Sequence, residues 1–121
     1  MSLAPFPKDG QSLGQALDQF ARDRGWQTFH APKNLAMALS VEAAEIMEIF
    51  QWMDVQDSNS LAPEKRQALA EEVGDVMIYL TMLASRFNID PLEAAWNKMT
   101  INEQKYPTSK VYGKSLKYNE Y

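Results

Sequence analysis

Apolar residues return every three or four positions through most of this chain, the spacing of helices with one buried face. No stretch shows the strict apolar–polar alternation of a half-buried strand. After an irregular lead-in over residues 1–11, Ser12 is placed to cap a first helix, LGQALDQFARDRGW, ending near Gly25. Pro32 opens a second helix running to about Asp54, and Pro63 opens a third, PEKRQALAEEVGDVMIYLTMLASRFN. Asp90 caps a fourth, which begins at Pro91 and stops at Pro107. The tail TSKVYGKSLKYNEY has little helical period and is expected to order against a partner. The pattern predicts an all-α protein, a four-helix bundle forming a single domain over 1–121, with a helical core of about 12–106 and a tail of 107–121.

The apolar residues outnumber what one buried face per helix needs. Helix 3 is expected to turn Leu69, Val73, Val76, Leu80, Leu83 and Phe87 inward, leaving Ile78 and Met82 elsewhere. Helix 2 sends Met37, Val41 and Trp52 off its main face. Residues in such positions are expected to be covered by other copies of the chain, so the bundle is completed by oligomerisation; scattered surface hydrophobes are the plainer alternative.

Composition narrows the classes. With 121 residues, 45% of them hydrophobic, the chain can bury one modest core. It has no run long and apolar enough for a membrane span and no signal-peptide pattern. A formal charge of −4 argues against a nucleic-acid-coating surface, and the lack of cysteine excludes disulfides and fits a reducing, cytoplasmic setting.

One feature of helix 2 conflicts with its pattern. Leu35, Leu39, Ile46, Ile49, Phe50 and Met53 share a face at about 100° per residue, and Glu42 falls in the middle of it. Burying an unpaired charge there costs several kcal/mol. Glu45 lies beside Glu42, while Glu72 and Asp75, also three apart, lie on the edge of the apolar stripe of helix 3. A short connection makes helices 2 and 3 antiparallel neighbours, so the two pairs can converge. Converging carboxylates repel and take up protons unless a cation joins them. Oxygen-only donors suit Mg²⁺ or Mn²⁺, whereas zinc and non-haem iron sites usually include histidine, and this chain has only His30, outside both pairs. Surface acids paired with Lys and Arg are the ordinary reading of a lone E-x-x-E; two pairs, one at a core position, favour a metal.

The segments EAAEIMEIFQW, EEVGDVMIYL and KMTINEQKYP together resemble the MazG-like nucleotide pyrophosphohydrolases of the all-α NTP-pyrophosphatase class. RGWQTFHAPKNLAMAL further resembles the small single-domain dCTP-pyrophosphatase branch, and the likeness runs in order from about residue 12 to 118. The resemblance implies hydrolysis of a deoxynucleoside triphosphate, dCTP favoured, to the monophosphate and pyrophosphate, as nucleotide-pool house-cleaning. It implies Mg²⁺ on Glu42, Glu45, Glu72 and Asp75, and a dimer or a tetramer of paired bundles, the tetramer being a dimer of dimers. Trp26, Trp52 and Tyr79 fall where the branch meets base and sugar, and Lys98, Asn102 and Lys105 where the family meets phosphates. The branch's helix-1 histidine is Leu17 here, a departure that leaves room for a purine such as dATP.

The residues themselves assign further roles. An acidic protein must recruit metal charge to neutralise a triphosphate. Glu45, off the apolar centre, is the candidate general base, with pure metal ligation as the competing role. Trp26 and Trp52 offer flat stacking surfaces, though core packing is the usual fate of tryptophan in a small domain. His30 can contact the base or orient its loop. Lys98, Asn102 and Lys105 form one helical row, which without the resemblance would read as a solvated face. Gly74 in helix 3 suggests close approach of a helix or ligand, since glycine costs roughly 1 kcal/mol there. Two rival readings are a non-catalytic helical interaction module and a nucleotide- or metal-binding sensor without turnover.

Overall fold

A computed structural model describes residues 6–120; the first five residues of the lead-in and Tyr121 lie outside that range. Its regular structure is helical: α1 Gly10–Asp23, α2 Pro32–Phe50, α3 Pro63–Arg86, α4 Pro91–Lys105 and a short α5 Thr108–Val111. A single 3-10 turn, Gln27–Phe29, links α1 to α2, and two more lie at Asp57–Asn59 and Tyr118–Glu120. The all-α expectation holds. The tail is less irregular than its composition suggests, since it folds into α5 and the last 3-10 turn.

Capping sets where these helices begin. Asp9, not Ser12, is the N-cap of α1: its Oδ1 accepts from the Ser12 backbone N–H at 2.7 Å. Ser12 therefore sits inside the first turn as the capped residue, and the helix starts three positions earlier than its cap preference predicts. Asp90 caps α4 as expected, accepting from Leu92 N–H at 2.8 Å. Prolines occupy the first turns of α2, α3 and α4, where a missing N–H leaves nothing unsatisfied. Helix α2 ends at Phe50, earlier than the expected Asp54, and a turn carries Trp52 outward.

The helices α2 and α3, joined through residues 51–62, pack along each other as the main hairpin. Leu35 is fully buried, and Leu39, Ile46, Ile49, Phe50 and Met53 are half-buried, matching the stripe read from the sequence. Helix α3 departs from expectation. Leu69, Val76 and Leu83 turn inward, but Val73, Leu80 and Phe87 are exposed, Phe87 to 61%. Apolar residues surround α3, so its inward side is chosen by what α2 and α1 offer and not by periodicity.

Helix α1 crosses α3 on small residues. A Cβ at Gly14 would lie 3.1 Å from Ser85 Oγ and 3.8 Å from Thr81 Cγ2, so a larger residue there would press on the Ser85 side chain. Helix α4 leans on α1 and α3 at its start, and its residues 92–101 are exposed throughout. Nothing lies within 4 Å of a Cβ built on Gly74, so no close approach inside this chain explains that glycine. Among the described residues no helix is long and apolar enough to cross a membrane.

Candidate metal and nucleotide site

Glu42 and Glu45 lie one turn apart on α2, and Glu72 faces them from α3. All three are half-buried, and one carboxylate oxygen from each lies within 4.8 Å of the other two. The hairpin makes this meeting possible, because each pair stands well back from the connecting loop on the inward side of its helix. Oε2 of Glu42 and Oε2 of Glu72 are closed off from solvent without a hydrogen-bond partner. Buried unpaired carboxylate oxygens are costly, and they mark a place whose partner lies outside the chain.

Electrostatics bear the same mark. Burial pushes the Glu42 carboxyl above its ordinary range, with further upward pressure from Glu45 and Asp75, while a hydrogen bond with Glu72 offsets part of it. Glu72 is raised to about 7, first by its hydrogen bond with Glu45, then by burial, then by Glu42. Shared protons replace mutual repulsion when no cation is bound. Asp75 is half-buried on α3 and its charge reaches Glu42, but it does not join the mutual 4.8 Å group. Three of the expected four acids thus converge, with the fourth beside them.

The donor set fits a hard divalent cation. It offers carboxylate oxygens alone, with no imidazole and no thiolate, as Mg²⁺ and Mn²⁺ prefer. Glu48 and Glu71 are exposed; Glu71 accepts from Gln67 Nε2 at 3.5 Å, consistent with a surface role.

The remaining candidates are more dispersed. Trp26 is 44% exposed and meets Phe20 edge-on, ring centroids 6.0 Å apart. The Arg24 guanidinium lies 3.5 Å from the Phe20 ring centroid, and its Nη1 donates to the Phe20 carbonyl at 3.0 Å. Arg24 thereby braces the tryptophan's neighbour by cation–π contact. His30 is half-buried, and its carbonyl accepts from Arg86 Nη1 at 2.8 Å. Tyr79 is half-buried on α3 beyond Asp75, whereas Trp52 is 90% exposed at the end of α2. Lys98 is exposed, and Asn102 and Lys105 are half-buried, on α4, which packs against α1 and α3. Sequence reasoning did not single out Arg86, because no local signal marks an arginine that ties down a segment distant in sequence.

Comparisons with known proteins point one way. The sequence model described as the MazG-like family matches residues 37–121, a span that includes all four acids. The protein named dCTP pyrophosphatase 1 from Mus musculus is 41% identical over 104 residues, covering 84% of this chain and 61% of that protein. The Homo sapiens protein of the same name gives the same identity and coverage. The chain spans about three fifths of the length of these curated relatives. Among solved structures, a pyrophosphatase from Archaeoglobus fulgidus superposes with a TM-score of 0.75 at 37% identity, covering 88% of this chain and 99% of that one.

Proposed function

Because the chain belongs to the MazG-like family, we propose that it is a metal-dependent nucleoside triphosphate pyrophosphohydrolase acting on deoxynucleotides, with dCTP the preferred substrate. The observation that carries this reading is the convergence of Glu42, Glu45 and Glu72, with buried oxygens of two of them unpartnered. Glu42, Glu45, Glu72 and Asp75 would hold Mg²⁺, or Mn²⁺ in its place. The bound cation would offset triphosphate charge and lower the pKa of a coordinated water.

The chain's own groups account for the rest. Glu45 takes a proton from the water that attacks the α-phosphorus. The bond from that phosphorus to the α–β bridging oxygen breaks, giving the monophosphate and pyrophosphate. Trp26 stacks on the base, where an aromatic face tolerates any base and leaves discrimination to polar neighbours such as His30. Trp52 supplies a second aromatic surface, and Tyr79 packs near the sugar. Lys98, Asn102 and Lys105 meet the phosphates.

A homo-oligomer belongs to this reading. The surface of the single chain is 9806 Å², against about 6,600 Å² expected for a compact monomer of this mass. Met37, Val41 and Met47 on α2, and Leu92, Trp96 and Met99 on α4, stand exposed and need a cover. A second copy supplies it, and a dimer of dimers brings the Lys98 row and Trp52 of one chain toward the acids of another. Incubation with dCTP and Mg²⁺, followed by assay for pyrophosphate with and without EDTA, tests the proposal. Metal-dependent pyrophosphate release supports it; nucleotide binding without release would leave only a binding module.

A further inference from the structure

The segment between α1 and α2 carries Trp26 and His30, yet little beneath it fixes its height above the helices. Its middle is the 3-10 turn Gln27–Phe29, which contains no buried residue and is flanked by Trp26 and His30. A cavity of about 50 Å³ lies under it, lined among others by Gln27, His30, Leu35 and Arg86. Atoms lining this half-open pocket meet few protein neighbours on that side, so apolar burial does not hold the segment in place.

The backbone bonds Phe29 N–H to Trp26 O and His30 N–H to Gln27 O are internal to the turn and set its shape, not its position. The near end is anchored on α1 by Trp26 N–H to Ala21 O at 3.0 Å. At the far end Asn34 Nδ2 reaches the Phe29 carbonyl at 3.5 Å, the outer limit of a hydrogen bond. Arg86 Nη1 reaches the His30 carbonyl at 2.8 Å, joining residues 56 positions apart. That bond is short and charge-assisted, and it originates from the last turn of the helix that carries Glu72 and Asp75.

We propose that Arg86 is the positioning residue of the base subsite. It clamps the segment bearing Trp26 and His30 to α3, so the aromatic platform and the acid cluster keep one register. The inference rests on the reading that Trp26 and His30 meet the base. Arginine suits the task because its planar fork holds a donor in fixed geometry while staying charged at every relevant pH.

Steady-state kinetics of Arg86→Ala, Arg86→Gln and Arg86→Lys on the full chain, with dCTP and dATP at saturating Mg²⁺, test it. Losing this bond should raise the KM for dCTP about tenfold or more. Discrimination between dCTP and dATP should narrow, while the Mg²⁺ concentration for half-activation stays put. Arg86→Lys should recover part of the KM, because one donor returns. If Arg86→Ala fails to fold, Arg86→Gln and Arg86→Lys carry the test alone. An unchanged KM and selectivity in folded variants, or a loss confined to kcat with KM unmoved, overturns the inference. No turnover by the unaltered chain would instead refute the functional reading beneath it.

Discussion

Glu72 on α3 faces Glu45 on α2, one carboxylate oxygen of each within 4.8 Å of the other, and this contact is the largest cause of the Glu72 carboxyl standing at about 7. Two acids facing each other across a helix hairpin make the chain sensitive to pH when no metal is present. The ordinary carboxyl value is 4.5, so between that and about 7 the folded chain holds a proton that the unfolded chain has released. Stability from this group is therefore full below the lower value and lost as pH rises through the upper one. Glu42 is displaced in the same direction. In EDTA, the melting temperature should fall between about pH 5 and pH 8, and saturating Mg²⁺ should flatten the slope. A melting temperature that climbs across that window would mean ion pairs already satisfy the acids.

Removing one charge should separate stability from activity. Glu42→Gln and Glu72→Gln relieve repulsion, so without metal each variant should melt at or above the temperature of the unaltered chain. Outer-shell changes at metal sites alone cost about 10–100-fold in activity or affinity, and loss of a ligand should cost at least as much. Thermal melts in EDTA alongside pyrophosphate release in Mg²⁺ check both halves. Clear destabilisation of the metal-free variants would identify the acids as structural partners.

The exposed apolar rows make a second class of prediction. Trp96 is 69% exposed and Met99 60% exposed on a helix with little else to hold it. Trp96→Glu should shift the sedimentation profile toward smaller species and lower the melting temperature. A 13.8 kDa species as the main form of the unaltered chain at micromolar concentration would contradict the proposed assembly.

These predictions draw unequally on what the sequence reveals. The start of α4 was legible because Asp90 and Pro91 act locally, through a cap and a missing N–H. The start of α1 was not, because Asp9 and Ser12 are both good caps and only the observed bond from Ser12 N–H to Asp9 decides between them. Glu42 stood out by falling on an apolar stripe, and a short hairpin was enough to bring Glu72 opposite. The inward face of α3 was misread at Val73, Leu80 and Phe87, since a helix apolar on several sides takes its orientation from its neighbours. The Arg86–His30 bond depends on the placement of two distant segments, which no local pattern encodes.

Selectivity follows from the aromatic surfaces. Base stacking contributes about 1–3 kcal/mol, so Trp26→Ala should raise the KM for dCTP about tenfold or more with the acid cluster untouched. If Tyr79 packs near the sugar as proposed, discrimination against CTP should be on the order of 100-fold, because an apolar pocket rejects an added hydroxyl only moderately. Comparison of kcat/KM for dCTP, dATP and CTP measures both effects. CTP matching dCTP would remove the sugar filter, and dATP matching dCTP would reassign only the base.

The most direct test follows the oxygen of the attacking water. The chain is incubated with dCTP and Mg²⁺ in water enriched in heavy oxygen, and both products are examined by mass spectrometry. Attack at the α-phosphorus places the heavy oxygen in dCMP and leaves pyrophosphate unlabelled, with all turnover lost in EDTA. Label in pyrophosphate or orthophosphate, or no turnover at all with metal present, would contradict hydrolysis at the α-phosphorus by this acid cluster.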